Sequence, residues 1–177
     1  MHKLEKSILT CNVKQAWVDY NGHMNDAEYA KVFSLAVDQL MQDIGMDVAF
    51  REQQHYSIFT LETHVCYLKE AHLGEELTVT LQLLDHDAKR MHVFYVMKNA
   101  AGDRLATSEQ MLMGMDMESG RPAAFPEQIA DAVEAIALDQ KDMPLPKEAG
   151  RTIGIKRKNE QSPEVSKRGA RKGVTWF

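Results

Sequence analysis

The stretch Trp17-Val-Asp-Tyr-Asn-Gly-His-Met-Asn-Asp-Ala-Glu-Tyr29 joins a strand-like run, Ser7 to Val18, to a long apolar helical run, Ala27 to Ile44. Its middle holds Asp19, Asn21, Gly22, His23, Asn25 and Asp26. That composition makes a tight turn and then a helix start. Glycine accepts φ values that other residues resist, and Asx side chains bond nearby backbone amides. Asn25 or Asp26 suits the N-cap, with Glu28 placed three residues after Asn25 as in a capping box. A helix start presents unpaired amides and a partial positive charge. An acid, Asp19, therefore lies a few residues before a site suited to negative charge. Acyl transfer needs that pairing: a base or nucleophile beside amides that stabilise an oxyanion.

Downstream, Val32, Phe33, Ala36, Val37, Leu40, Met41 and Ile44 recur at spacings of three and four, and Gly45 is a plausible stop. Residues 46–54 read as a connector or a short second helix. Residues 55–69, 77–83, 91–97 and 104–116 then read as strands, with turns at Gly74, at Asp85 to Lys89 and at Asn99 to Asp103. Gly120-Arg-Pro122 breaks the last strand. One long apolar helix and four consecutive antiparallel strands leave few packings, because the sheet has only that helix to cover its apolar face. The class is α+β. A final helix is predicted over 126–138, with Pro126 in its first turn. Beyond Asp139 the chain is polar, basic and broken by Gly and Pro. The expected organisation is one domain, 1–138, and a poorly packed tail, 139–177.

The 177 residues suit a single domain, and 44% hydrophobic residues suffice for a core. Charge is uneven. Of 21 Lys/Arg nine fall in 147–177, and of 26 Asp/Glu only three do, so residues 147–177 carry +6 and residues 1–146 carry −11. Cys11 and Cys66 form no CxxC pair, which suggests reduced thiols in a cytosol. Met1-His-Lys-Leu-Glu-Lys-Ser7 lacks the apolar run of a signal peptide, and no stretch has transmembrane length. A cytoplasmic protein without a membrane partner is expected. Zinc-ligand spacing, a P-loop and a Gly-x-Ser-x-Gly elbow are all missing from the sequence.

Asp19-x-x-Gly22-His23-x-Asn25, followed by Tyr29 and an apolar helix, resembles the signature of hotdog-fold acyl-CoA thioesterases, relatives of 4-hydroxybenzoyl-CoA thioesterase. Glu62-Thr-His-Val-Cys-Tyr-Leu-Lys-Glu-Ala-His-Leu-Gly74-Glu-Glu-Leu77 resembles that family's second strand and its turn into the third. The resemblance covers roughly 7–138. It implies an antiparallel sheet wrapped around a long central helix. It also implies thioester hydrolysis without metal or cofactor, in a homodimer or homotetramer with the active site between subunits. Asp19 falls on the family's catalytic acid, as nucleophile or as general base for water. Gly22 would allow close approach of the thioester, and a backbone amide near Asn25 and Asp26 would hold the oxyanion. Asp26 departs from the pattern, since many relatives carry a second Asn there. His23 could orient Asp19, touch substrate, or bond local backbone.

The wording Val-Asp-Tyr-Asn-Gly-His-Met-Asn, followed by Val-Phe, resembles the hotdog thioesterases of carnitine catabolism, including the domain fused to some carnitine dehydrogenases. That implies betainyl-CoA as substrate. Trp17, Tyr20 and Tyr29 would then line the acyl pocket, because aromatic faces attract quaternary ammonium groups. The same rings could equally serve as core or interface. Lys69, Lys89 and Arg90 are candidates to meet CoA phosphates. Lys156-Arg-Lys158, Lys167-Arg168 and Arg171-Lys172 could do so too, or bind nucleic acid, but a solvated basic tail is the simpler reading. No nucleic-acid partner is expected. His64 and Cys66 lie two apart on one strand face, as a thiol nucleophile with its base or as structural residues. Two rival functions share the fold. One is a non-catalytic acyl-CoA binding or sensing module. The other is a dehydratase, which typically uses a His and an acid on the helix; Ala30 to Ile44 contains Asp38 and no His.

Overall fold

The computed structural model describes residues 6–155. The basic runs beyond Ile155 lie outside the described residues. Strand β1 (Ser7–Asn12) leads through a single 3-10 turn, Gln15–Trp17, to helix α1 (Asp26–Asp43). A short helix α2 (Val48–Gln54) precedes β2 (Tyr56–Tyr67), β3 (Glu76–His86), β4 (Arg90–Asn99) and β5 (Arg104–Asp116). A two-residue strand β6 (Arg121–Pro122) and helix α3 (Glu127–Gln140) follow. The sheet runs β1-β3-β4-β5-β2, antiparallel throughout, with β6 beside β5. No described helix is long and apolar enough to cross a membrane.

Helix α1 forms where the apolar spacing places it. Val32, Phe33, Ala36, Val37, Leu40 and Met41 are buried along one face, while Asp38 faces out. That face packs on the sheet's inner residues, among them Leu77, Val79, Val93, Tyr95, Met97 and Leu112. Each large apolar side chain so buried contributes about 1.5–3 kcal/mol. The helix stops through Gly45 at φ +88°, with the amides of Gly45 and Met46 bonded back to Gln42 and Met41. A sheet curled over one long helix is the hotdog arrangement.

Three boundaries differ from expectation. β1 ends at Asn12 rather than Val18, because its partner β3 begins at Glu76, which pairs with Asn12. Val13 still bonds to Glu75 O and Gly74 N, and the chain then coils away, burying Val13 and Trp17. Gly120-Arg-Pro122 does not simply end β5; Arg121 and Pro122 pair back onto Asp116 and Met115. Helix α3 continues to Gln140, with Pro126 as its N-cap residue.

Past Asp139 the described chain is bonded to the sheet. β1 pairs no further along β3 than Thr80, which leaves the next part of that edge open. The Gln140 side chain fills it, its Nε2 donating to Leu81 O at 3.1 Å and its Oε1 accepting from Leu83 N at 2.7 Å. Gln82 Nε2 donates to Pro144 O, Arg104 makes a two-pronged pair with Glu148, and Gly150 N donates to Glu109.

Gly114 on β5 sits where two groups converge. A Cβ there would overlap the Tyr56 hydroxyl and lie 2.9 Å from Ala123 O, the acceptor of that hydroxyl. Gly114→Ala is expected to destabilise the domain by about 1–3 kcal/mol, read as a lower melting temperature.

Candidate active site

The turn after Trp17 is built by Asp19. Its Oδ1 accepts from the amides of Asn21 at 2.8 Å and His23 at 3.1 Å. Its own amide donates to His23 O at 2.9 Å, and Gly22 N donates to Asp19 O at 3.0 Å. Gly22 takes φ +79°, the left-handed conformation that a side chain resists. The Asx turn is thus real, and the carboxylate sits at the surface with defined geometry. Local backbone binding by Asp19 and a chemical role for it are compatible, because both amide bonds go to one oxygen.

The turn is fastened on two sides. Val18 bridges Met24, and Asn25 N donates to Trp17 O at 2.9 Å, which folds Asp19 back toward the start of α1. His23 bridges His72, and Met24 N donates to Ala71 O at 2.8 Å, which ties the turn to the β2–β3 connection. At the helix start Asn25 is the N-cap, its side-chain oxygen accepting from Ala27 N at 3.0 Å. Asp26 Oδ1 accepts from the same amide at 2.9 Å. Glu28 turns to Lys31, 3.2 Å away, rather than closing the capping box on Asn25.

The expected aromatics separate. Tyr29 is buried, and its hydroxyl accepts from the Ala71 amide at 2.9 Å. Trp17 is buried too, with the ammonium groups of Lys14 and Lys31 standing 5.2 and 5.5 Å from its ring centre. Tyr20, at the tip of the turn, is 96% exposed. The ring that joins Tyr29 is Tyr67, edge-on at 5.3 Å, whose hydroxyl donates to Asp26 O. Sequence reading missed Tyr67, since only the fold carries the end of β2 to the start of α1. A cleft of about 340 Å³ opens there, lined by Met24, Asp26 and Tyr29 on one side and by Tyr67 to Glu70 on the other. Burial raises both phenol pKa values, and nearby carboxylates add to it: Glu70 and Glu75 at Tyr29, Asp26 at Tyr67. The rings are neutral, and acids surround them.

The three basic candidates do not assemble. Lys69 lines the cleft and pairs with Asp103. Lys89 and Arg90 stand at the start of β4, while the β4 end nearest Lys69 is Asn99, a partner of Asp103; Arg90 is held by Asp87. Antiparallel register puts these groups at opposite ends of one strand. Cys66 Sγ lies 3.8 Å from His64 Nε2, and neither residue lines the cleft.

An antiparallel sheet curled over one long helix, together with the relatives that follow, makes this chain a hotdog thioester hydrolase. The chain belongs to the thioesterase-like superfamily, whose family model matches residues 13–133. It is 43% identical over 140 residues to a betainyl-CoA thioesterase of Pseudomonas aeruginosa, covering 78% of this chain and 88% of that one. An L-carnitine dehydrogenase/betainyl-CoA thioesterase of Rhizobium meliloti is 41% identical over 151 residues, 85% of this chain but only 30% of the fused protein. Among solved structures, a Staphylococcus aureus protein in complex with CoA superposes with a TM-score of 0.81 at 33% identity, over 88% of this chain and 99% of that one.

Ala71 is fully buried, so the Tyr29 hydroxyl is what satisfies its amide. Tyr29→Phe would leave that N–H without a partner at a cost of about 1–3 kcal/mol. Thermal melting is expected to show the loss, with faster hydrogen exchange at Ala71.

Proposed function

We propose that this protein is an acyl-CoA thioesterase that hydrolyses betainyl-CoA to betaine and CoA in carnitine degradation. The observation that carries the hydrolase chemistry is the fold of the 18–25 turn, which presents Asp19 beside the start of α1. Asp19 Oδ1 is occupied by two amides, so Oδ2 is the oxygen that attacks the thioester carbon or takes a proton from water. The oxyanion donor follows by elimination. Asn25 N is spent on Trp17 O, Ala27 N on two side-chain oxygens, and Glu28 N on Asn25 O. The amide of Asp26, first in the helix, takes no part in these bonds and is the donor left for the developing charge. Gly22 gives the thioester room, and His23 supplies through its own amide half of the hold on Asp19.

The acyl group is assigned from two supports. One is the 43% identity to a betainyl-CoA thioesterase. The other is the cleft, where Tyr29 and Tyr67 stand among the acids Asp26 and Glu70. Neutral rings and acids suit a trimethylammonium group. Trp17 already carries two lysine ammonium groups, so the acyl cation is placed against Tyr29 and Tyr67, with Trp17 behind the turn. Asp38 faces out from α1 and away from the cleft, which speaks against a dehydratase centre on the helix.

A homo-oligomer in the cytoplasm completes the proposal. β2 is a twelve-residue strand at the sheet edge, with Phe59 and Tyr67 exposed along it. Long, apolar edges need covering, and a two-fold copy supplies an identical strand. Exposed Tyr20 would find its cover on that partner subunit.

The first experiment is thiol release from a panel of acyl-CoAs that includes betainyl-CoA. Asp19→Asn keeps an oxygen for both amide bonds but removes the base. It is expected to lower kcat by about a hundredfold or more with the fold intact; full activity in that variant would sink the Asp19 assignment. A second comparison sets betainyl-CoA against 3,3-dimethylbutyryl-CoA, which holds shape and removes charge. A desolvated cation–π contact of about 2 kcal/mol gives at least about a tenfold preference in kcat/KM. Tyr67→Leu is expected to shrink that preference and spare the neutral substrate. Equal turnover of the two substrates would leave a general acyl-CoA thioesterase.

A further inference from the structure

We propose that His23, Glu70 and His72 form a binding site for a divalent transition-metal ion of zinc's class, and that an ion held there slows the thioesterase. One ligand atom from each residue lies within 4.8 Å of the others. His23 Nε2 stands 3.6 Å from Glu70 Oε2. That gap exceeds an ordinary hydrogen bond of about 2.7–3.2 Å. It matches two ligands on one tetrahedral ion, which at bond lengths of about 2.0–2.2 Å lie roughly 3.3–3.6 Å apart. The third ligand atom, on His72, lies within 4.8 Å of both.

The backbone holds these groups together before any ion arrives. His23 and His72 face each other across a β-bridge, flanked by Met24 N to Ala71 O at 2.8 Å and Leu73 N to Gly22 O at 3.3 Å. Their rings meet edge-on at 5.1 Å. A carboxylate is also at hand to orient one ring. Glu75 Oε2 lies 3.6 Å from His72 Nδ1 and accepts from the His72 amide, while Asn99 holds its other oxygen. Ligating histidines are commonly steadied by such a partner. Two imidazoles and one carboxylate suit zinc, cobalt or nickel better than magnesium or calcium, which take oxygen donors. The His23, Glu70 and His72 side chains are 38, 67 and 59% exposed, so an ion enters from solvent and keeps an open position for water.

The inhibitory half rests on the Asp19 reading. His23 donates its amide to Asp19 Oδ1. An ion on the His23 ring adds positive charge beside the turn and stiffens it. A turn so stiffened has less freedom to adjust Asp19 to the thioester.

The test titrates the tag-free, full-length protein with Co²⁺, whose visible absorption reports coordination by nitrogen and oxygen, and then displaces it with Zn²⁺ under calorimetry. One ion per chain is expected. His72→Ala and Glu70→Gln should each weaken binding by at least about tenfold. In turnover assays Zn²⁺ should lower kcat reversibly, with EDTA restoring it. His72→Ala should lose the response, judged against that variant's own metal-free rate. Absent binding, or an affinity unchanged in His72→Ala, would overturn the site. Stoichiometric binding with unchanged turnover would overturn its coupling to Asp19. Because the cobalt titration needs no substrate, a protein inactive on every thioester would defeat the functional proposal and leave the metal site to be decided independently.

Discussion

The bond from the Met24 amide to the Ala71 carbonyl, with the His23–His72 bridge beside it, is the fastening on which the site depends. Without it the 18–25 turn would be an eight-residue loop ahead of a helix. With it, the turn becomes an extra edge on the β2–β3 connection. Tyr29 reinforces the junction from below, since its hydroxyl accepts from the Ala71 amide while its ring packs in the core. Helix, turn and strand connection therefore move as one body. A carboxylate in that body can be aimed, which a carboxylate on a free loop cannot.

Local features were legible in the sequence to the degree that they depend on local chemistry. The spacing of Val32, Phe33, Ala36, Val37, Leu40 and Met41 marks the buried face of α1 because helical periodicity repeats within a few residues. Asn25 as N-cap and Gly45 as stop follow from side-chain and φ preferences alone. The Asx turn at Asp19 follows from the same logic. β1 was harder, because the length of a strand is set by its partner. Residues 13–18 read on from the strand, but β3 starts at Glu76, and after Val13 has bonded to Glu75 and Gly74 the chain turns away into the 3-10 turn.

What could not be read is what the tertiary fold brings together. Tyr67 and Glu70 carry no mark as site residues. Tyr67 reads as the end of a strand, and the ring reaches Tyr29 only because β2 runs along the sheet edge toward the start of α1. Trp17 and Tyr20 sit three residues apart in sequence yet part company, one buried under two lysines and the other at a turn tip. Lys69 and Arg90 both look like strand-end cations, and antiparallel register alone sends them to opposite ends. His23 and His72 have no ligand-like spacing, since a β-bridge between distant segments makes the pair. Gln140 gives a further case. It reads as the start of the tail beyond Asp139, yet it ends α3 and its amide serves as a missing strand segment for β3.

Charge links these pieces on the proposed reading. The cleft beside α1 holds Asp26 and Glu70 at its rim, with Asp19 in the neighbouring turn. Three acids in so small a region would repel the carboxylate product of an ordinary acyl group and do little to hold its neutral ester. A trimethylammonium acyl group reverses the sign of that interaction. Its cation is attracted on entry, and after hydrolysis it is tethered to a carboxylate, so the product is a zwitterion with a weaker claim on the site. Lys69, the basic residue at the same rim, already shares its charge with Asp103 and does not cancel the acids. Asp26, the departure from the family pattern, fits the same account: its amide lies at the helix start and serves the oxyanion, while its carboxylate, drawn to Ala27 N, adds negative charge near the acyl cation. The cost of an acid beside a developing oxyanion is met by keeping that carboxylate bonded to backbone, where part of its charge is spent on the helix N-terminus.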